Sequence, residues 1–261
     1  MSEHIENPID LRGRTAVVVG GTSGLGKTIA LGMAAAGANV VVTGRRANLI
    51  DEVATQIEAK GRKTIRMASD AGSRESLDAL RDEVVKQLGG VDILLNAAGQ
   101  TFRKPTVDVA EADWDRIMNI NLTGTLRACQ SFHAPLKASG RGRVINIASL
   151  SSFVSLNEVA AYAASKAAVL SLTKSLAIEW AKDDICVNAI APGVFPTELN
   201  ASLLNGTERG REFLLRTPMK RFGRPEELVG AALLLASDAA SFITGQSIAV
   251  DGGFLCSGVN S

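Results

Sequence analysis

The sequence predicts a doubly wound α/β fold, with about seven parallel strands in one sheet and helices on both faces. Short runs rich in Val, Ile and Leu alternate with longer amphipathic stretches, and these runs are continuously apolar, as in strands buried on both faces. The predicted strands are residues 15–19, 39–43, 64–68, 92–96, 143–148, 186–190 and 247–250. No internal repeat or linker rich in Pro and Gly divides the chain, which predicts a single domain over residues 1–261.

Composition and charge exclude several classes of partner and site. The 261 residues include 28 Lys and Arg against 27 Asp and Glu, a near-balance that argues against nucleic acid or a membrane surface bound by bulk charge. No apolar run approaches the roughly 20 residues that span a bilayer, and the polar start lacks the apolar core of a signal peptide, so a cytoplasmic location is expected. With three cysteines and two histidines, we expect no disulfide framework, no metal site and no Ser-His-Asp triad.

A glycine-rich turn follows the first predicted strand and opens the first predicted helix. Residues 19–26 read VGGTSGLG. Glycine permits the tight turn and lets backbone N–H groups approach a pyrophosphate, whose charge is favoured at a helix amino terminus. The turn therefore predicts a dinucleotide site, the alternative being a merely tight connection between strand and helix. The candidate contacts are Gly20, Thr22, Ser23, Gly24, Leu25 and Gly26.

The end of the second predicted strand indicates which dinucleotide binds. An acidic residue there normally holds the adenosine ribose 2′-hydroxyl, whereas an arginine accommodates a 2′-phosphate. Here the strand runs into Arg45 and Arg46, with no acid before Asp51. The guanidinium of Arg45 suits a phosphate in bidentate contact, so NADP(H) is favoured over NAD(H). The alternative is that both arginines are solvated surface charges.

A tyrosine and a lysine form the main candidate for catalytic chemistry. Tyr162 is the only tyrosine, and Lys166 follows it by four positions in a predicted helix over 160–180, which puts both side chains on one face. An ammonium about 5 Å from the phenol would lower the phenol pKa by about 2, toward the range that general acid–base catalysis needs.

Two further polar residues are candidates because of their position along the chain. Ser149 ends the strand at 143–148, and the carboxyl ends of parallel strands face the crevice where ligands bind. Asn121 follows a predicted helix over 113–120, where an Asn often means only solvent exposure or a local bend.

In combination, the motifs resemble the short-chain dehydrogenase/reductase family over essentially the whole chain. The matching elements are the glycine turn at Gly20, Gly24 and Gly26, an Asn-Ala-Gly element at 96–99 (NAAG), Tyr-x-x-x-Lys at 162–166, and Pro-Gly-x-x-x-Thr at 192–197. Two positions depart from the family pattern, because Val19 stands for the usual Thr and Ala97 for the usual Asn. Both chiefly support packing, so they affect the expected local hydrogen bonds rather than the expected activity.

The resemblance implies a Rossmann-type fold and assigns roles to residues. It implies a catalytic tetrad of Asn121, Ser149, Tyr162 and Lys166, in which the tyrosine exchanges a proton with the substrate oxygen and the lysine holds the nicotinamide ribose. It places Asp70 against the adenine, the Val194 backbone with Thr197 at the nicotinamide amide, and a water between Asn121 and Lys166. The further cofactor contacts that it implies are Ala71, Asn96, Ala97, Ala98, Gly99, Tyr162, Lys166, Pro192 and Gly193.

The substrate is expected to be a small carbonyl compound or alcohol carrying an anionic group. The loop at 100–105 (QTFRKP) places Arg103 near the crevice as a partner for a carboxylate, alongside Ser149 and Tyr162. A solvated charge is the alternative for Arg103. Residues 192–225 contain four prolines after a strand end and are a candidate substrate lid.

The likeness extends to one branch of the family and to its assembly. The chain looks most like gluconate 5-dehydrogenases and related sugar-acid or polyol dehydrogenases. The 3-oxoacyl-carrier-protein reductases are the alternative, and a non-catalytic NADP(H)-binding sensor or scaffold is an alternative of another class. The family also implies a homodimer or homotetramer.

Overall fold

One parallel sheet forms the centre of the protein, seen in a computed structural model that describes residues 9–197, 204 and 206–259. The six strands are β1 (Thr15–Val19), β2 (Asn39–Thr43), β3 (Ile93–Asn96), β4 (Gly142–Ile147), β5 (Ile185–Pro192) and β6 (Ser247–Val250). They lie in the order β2-β1-β3-β4-β5-β6, and all adjacent pairs are parallel. The strand order reverses at β1 and β3, and a ligand crevice is expected beyond the carboxyl ends at that point.

Helices cover both faces of the sheet. Within the described residues they are α1 (Gly24–Ala35), α2 (Ala47–Glu58), α3 (Arg74–Leu88), α4 (Glu111–Met118), α5 (Gly124–Ala138), α6 (Ala160–Trp180), α7 (Glu208–Arg216) and α8 (Val229–Ala236). None of these helices is both long enough and apolar enough to cross a membrane.

The sheet is buried on both sides, as the continuous apolar runs predict. In β1, Ala16 and Val18 face a cluster built with α1, α2 and α8, whereas Val17 and Val19 face a second cluster built with α3, α5 and α6. All four side chains are at most 3% exposed. The predicted Rossmann-type, doubly wound fold is therefore confirmed.

The predicted strand at 64–68 is wrong, and the sheet has six strands instead of about seven. This segment runs beside β2, but its bonds to it are scattered. Val40 donates its N–H to the carbonyl of Lys63 at 3.1 Å, and the Thr43 hydroxyl donates to the carbonyl of Met67 at 3.1 Å. Because the segment lies outside the sheet edge and exposes Arg66 beside buried Ile65, it needs no regular ladder to bury its apolar side chains.

Candidate active site

The glycine turn packs so tightly that side chains are excluded at two of its positions. A Cβ on Gly20 would lie 2.5 Å from the backbone nitrogen of Ala98, and a Cβ on Gly26 would lie 2.2 Å from the carbonyl oxygen of Gly20. Gly20 also has a φ of +83°, a conformation that favours glycine. The sequence therefore folds into a turn whose backbone, rather than side chains, faces the crevice.

The amino terminus of α1 is open and fits an anionic group. Its N-cap residue Ser23 makes no side-chain capping hydrogen bond, and the first turn contains no acidic residue. The free N–H groups and the helix dipole therefore point positive charge at the crevice. A Cβ on Gly24 would lie 3.7 Å from the side chain of Thr197, so the segment after β5 closes over the same spot. These features fit the pyrophosphate of a nicotinamide dinucleotide.

The end of β2 abuts the glycine turn, which brings Arg45 close to it. A Cβ on Gly44 would lie 2.9 Å from the hydroxyl oxygen of Thr22. Arg45 and Arg46 follow directly, both are exposed, and neither forms a salt bridge with any described residue. Two guanidinium groups are thus available next to the predicted adenosine ribose.

Asp70, predicted to contact the adenine, and Ala71, predicted as a further cofactor contact, lie in the loop before α3. Asp70 is exposed, and one of its carboxylate oxygens accepts the N–H of Gly72 at 2.8 Å. The backbone N–H of Asp70 donates to the hydroxyl of Ser76 at 3.0 Å. Ala71 is buried and packs against the start of α5 at Gly124. The Asp70 carboxylate therefore shapes its own loop, and the residue remains exposed to solvent.

Asn96 is buried inside the sheet instead of pointing into the crevice. Its Nδ2 donates to Oδ1 of Asn146 at 2.9 Å and to Sγ of Cys129 at 3.3 Å, and its side chain is packed between β3, β4 and α5. Ala97, which follows, donates its N–H to the carbonyl of Val19 at 2.8 Å. Ala98 and Gly99 are the parts of this element that reach the turn and the tetrad, so Asn96 acts by fixing the strand ends.

Lys166 lies at the centre of the predicted tetrad. Its side chain is 4% exposed, and Nζ donates to the carbonyl oxygen of Ile147, the last residue of β4, at 2.6 Å. A Cβ on Gly99 would lie 3.6 Å from Lys166 Nζ and 3.6 Å from Asn121 Oδ1, so the loop after β3 lies against both residues. Burial lowers the pKa of Lys166 to about 8.

Asn121 is fully buried and is neither solvent-exposed nor a simple bend. It lies in a π-helical turn (Asn119–Thr123) between α4 and α5. Its Oδ1 accepts the N–H of Gln100 at 2.8 Å, and its Nδ2 donates to the carbonyl of Gln100 at 2.9 Å and to the hydroxyl of Ser165 at 3.0 Å. The widened turn thus ties the loop after β3 to the helix that carries Tyr162 and Lys166.

Ser149 and Tyr162 meet at the mouth of this cluster. The Ser149 hydroxyl hydrogen-bonds the phenol, and Lys166 Nζ lies 5.8 Å from the centre of the Tyr162 ring. Ser149 Oγ also accepts from the N–H of Ser151 at 3.2 Å and from its hydroxyl at 3.0 Å. With both acceptor positions occupied, the Ser149 proton points toward the phenol.

The predicted lowering of the tyrosine pKa is wrong for the protein alone. Burial raises the pKa of Tyr162, and the hydrogen bond from Ser149 opposes this rise without reversing it. The cause is that the phenol is itself buried, which disfavours the charged phenolate more than its neighbours favour it. The phenol is consequently protonated at neutral pH.

Arg103, predicted to contact a substrate carboxylate, instead forms a salt bridge with Glu158, the residue two positions before α6. Arg103 is 45% exposed in this pair.

Of the candidate lid at 192–225, residues 198–203 and 205 lie outside the described residues. In its described part, Val194 accepts the N–H of Gly223 at 3.0 Å and Gly193 donates to Val250 at 2.8 Å, which ties the segment to β6.

Two residues that position the tetrad, Ser165 and Ile147, could not be identified from the sequence. Ser165 bridges the site, since it accepts from Asn121 and donates its hydroxyl to the carbonyl of Tyr162 at 2.7 Å. The one sequence feature that could have indicated Ser165 is that it is a polar residue close to Tyr162 and Lys166 in the same predicted helix. The role of the Ile147 carbonyl could not be read from the sequence, because every residue type has a backbone carbonyl.

Comparisons with known proteins agree with this geometry. A family model described as enoyl-(acyl carrier protein) reductase matches residues 19–255. The 2-dehydro-3-deoxy-D-gluconate 5-dehydrogenase of Escherichia coli (strain K12) is 39% identical over 254 residues, which cover 96% of this chain and 99% of that protein. The gluconate 5-dehydrogenase of Gluconobacter oxydans (strain 621H) is 36% identical over 247 residues, which cover 95% and 96%.

The solved structures include a close structural match with bound ligands. It is a gluconate 5-dehydrogenase from Burkholderia cenocepacia J2315 in complex with NADP and tartrate, 36% identical and superimposed with a TM-score of 0.93. The match covers 98% of this chain and 100% of that one.

Proposed function

Because the chain belongs to the short-chain dehydrogenase/reductase family, whose relatives here oxidise CH–OH groups, we propose that it interconverts a secondary alcohol and a ketone on a sugar acid or polyol. We propose gluconate 5-dehydrogenase-like activity with NADP(H). The observation that carries the proposal is the convergence of Tyr162, Ser149, Lys166 and Asn121 beside the open amino terminus of α1.

Each side chain of the tetrad has a task that follows from its contacts. The nicotinamide supplies or accepts the hydride when bound. Tyr162, protonated at neutral pH, donates its proton to the oxygen of a bound ketone, and Ser149 directs its own proton toward the same place. Lys166 donates one of its three ammonium N–H groups to the carbonyl of Ile147, so two remain to donate to ribose hydroxyls.

The proton that leaves Tyr162 needs a route of replacement, and Lys166 with Asn121 supports one. Lys166 has a pKa of about 8, so it can gain or lose a proton near neutral pH. Asn121 Oδ1 and Lys166 Nζ each lie 3.6 Å from one point on Gly99, so they are at most 7.2 Å apart. We propose that a water between these two groups links the lysine to solvent.

NADP(H) is proposed over NAD(H) because exposed Arg45 and Arg46 follow β2 next to the glycine turn, with no acidic residue there. The structure of the Burkholderia enzyme contains NADP, which supports this choice. The remaining predicted contacts, from Asp70 and Ala71 to Pro192 and Val194, are proposed on the family resemblance.

An anionic sugar substrate is proposed from Arg103 and from the relatives' names. We further propose that residues 192–225 cover the substrate as a lid, and that the protein is a cytoplasmic homodimer or homotetramer, as its family implies.

A substrate panel tests the proposal. We expect NADPH oxidation with 5-ketogluconate to exceed that with acetoacetyl thioesters, and turnover with NADPH to exceed that with NADH, when initial rates are measured at 340 nm (a wavelength at which reduced nicotinamide absorbs strongly). Preference for the thioester would point to 3-oxoacyl-carrier-protein reductase activity. Binding of NADPH without turnover of any ketoacid, ketose or thioester would favour a sensor or scaffold.

A further inference from the structure

Two arginines from different elements converge on the residues just before α6. Arg103, in the loop after β3, forms a salt bridge with Glu158 through its Nε. Arg209, in α7, donates both terminal nitrogens to the carbonyl oxygen of Asn157 at 3.3 Å. The two guanidinium groups therefore bind two adjacent residues, Asn157 and Glu158.

Glu158 is held in an unfavourable backbone conformation at this junction. Its φ is +64°, in the left-handed region that residues other than glycine rarely adopt. Lys104 donates its N–H to the carbonyl of Glu158 at 2.8 Å, so the loop after β3 anchors both the backbone and the side chain of Glu158. Such conformations persist where the surroundings impose them, and they cluster at ligand sites.

The charges at this junction favour an anion between the two arginines. Arg209 is partly buried, and its pKa is lowered chiefly by burial and further by the positive charge of Arg103, while Glu158 and Glu212 oppose both effects. Without a carboxylate nearby, the two guanidinium groups would repel each other. Glu158 supplies that carboxylate from within the chain, in a pair where Arg103 remains 45% exposed to incoming solutes.

The junction is close to the tetrad along the chain. Glu158 lies four positions before Tyr162, and Arg103 lies four positions after Gly99, which packs against Lys166. Four extended residues span at most about 14 Å, so the Cα of Glu158 lies within about 14 Å of that of Tyr162, and the Cα of Arg103 lies within about 14 Å of that of Gly99.

We propose that Arg209 joins Arg103 in a subsite for the substrate carboxylate, and that Glu158 fills this subsite in the unliganded protein until an anionic substrate displaces it. The proposal rests on the proposed function for the class of substrate. When the substrate carboxylate displaces Glu158, one arginine–carboxylate pair replaces another. A neutral ketose has no carboxylate to replace that of Glu158, so the subsite selects anionic substrates.

Three variants test this subsite through the ratio of kcat/KM for 5-ketogluconate to kcat/KM for the neutral ketose L-sorbose. Glu158→Gln keeps the shape but removes the competing charge, and we expect the ratio to rise at least fivefold. Arg209→Gln should lower the ratio at least tenfold. Arg211→Gln, on the same helix but exposed, is the matched control and should leave the ratio unchanged. A purely structural role would change both substrates equally in Glu158→Gln and Arg209→Gln, and that result would overturn the subsite.

Gluconate binding, measured by titration calorimetry with NADPH present so that no hydride can be transferred, separates this proposal from the proposed function. Tighter gluconate binding by Glu158→Gln and weaker binding by Arg209→Gln would support the subsite even if no ketoacid were reduced. Gluconate affinities equal to that of the wild type in both variants would overturn the subsite, whatever reaction the enzyme catalyses. Thermal melts of each variant establish that it is folded before it is assayed.

Discussion

At the scale of single residues, the phenol of Tyr162 is the group that transfers the proton in the proposed reaction. Tyr162→Phe removes only the hydroxyl, so the packing of the ring and the contacts of Lys166 should survive. We expect turnover to fall by about 10²-fold or more, because a positioned acid–base group contributes about that much. NADPH binding, followed by quenching of protein fluorescence, should stay close to the wild-type value. Wild-type turnover in this variant would remove Tyr162 from the reaction.

The buried ammonium of Lys166 makes stability depend on pH. Its pKa is about 8 in the folded protein against 10.5 for an ordinary lysine, so between these values the unfolded chain binds more protons. The free energy of unfolding should therefore gain a contribution as pH rises from 8 to 10.5, and this contribution is absent below pH 8.

Lys166→Met should abolish that gain, whereas Lys174→Met, at an exposed position of the same helix, should retain it. Urea unfolding of wild type and both variants at pH 7.5 and pH 10 measures the difference. Equal pH dependence in all three proteins would mean that burial does not lower the pKa of Lys166.

At the scale of elements, one carboxylate joins β1, β4 and the segment after α8. Asp238 forms salt bridges with Arg14, which is 1% exposed, and with Arg143, which is 4% exposed. The arginines also donate to the carbonyls of Ala236 at 3.3 Å and Ser237 at 3.2 Å. Two buried cations thus share one carboxylate, whose pKa is lowered chiefly by the hydrogen bond from Arg14.

Asp238→Asn should destabilise the protein by roughly 2 kcal/mol, less than for a fully buried pair because the Asp238 side chain is 53% exposed. Asp82→Asn, which breaks a pair whose carboxylate is 70% exposed, should cost less than about 1 kcal/mol. Urea denaturation at pH 7 compares the two. The stability that Asp238 contributes should be lost as the pH falls through the lowered pKa of this carboxyl group. If Asp238→Asn lowers the free energy of unfolding no more than Asp82→Asn does, the buried arginines do not need the carboxylate.

Elements also show where sequence reasoning reaches its limit. The apolar runs predict six strands correctly, because burial on both faces leaves a continuous pattern. The segment at 64–68 includes buried Ile65 beside exposed Arg66 and lies at the edge, where one-sided burial suffices without a ladder. The π-helical turn at Asn119–Thr123 has no recognisable hydrophobic period in the sequence. The burial of Asn121 within the site, which follows from this turn, could therefore not be predicted.

At the scale of the whole molecule, some parts of the candidate site can be predicted from the sequence and others cannot. The glycine turn, Tyr162 and Lys166 can be found because local spacing fixes their geometry. Arg209 and Glu158 cannot, because they are 51 positions apart in the sequence and come near each other only in the folded protein. A charged residue in a loop or helix resembles an ordinary solvated charge until its partner is known.

Assembly is the remaining property of the whole molecule, and its surface offers one place to test it. Phe242, in the turn before β6, is fully exposed, and β6 pairs only with β5, so its other edge is free of described strands. Burying a phenylalanine contributes about 1.5–3 kcal/mol, so a contact through this edge would gain from it in each subunit. We expect Phe242→Asp to lower the molar mass measured by sedimentation below that of the wild type. Val85→Asp, on α3, should leave the mass unchanged, and a wild-type mass for both variants would mean that the subunits associate through another surface.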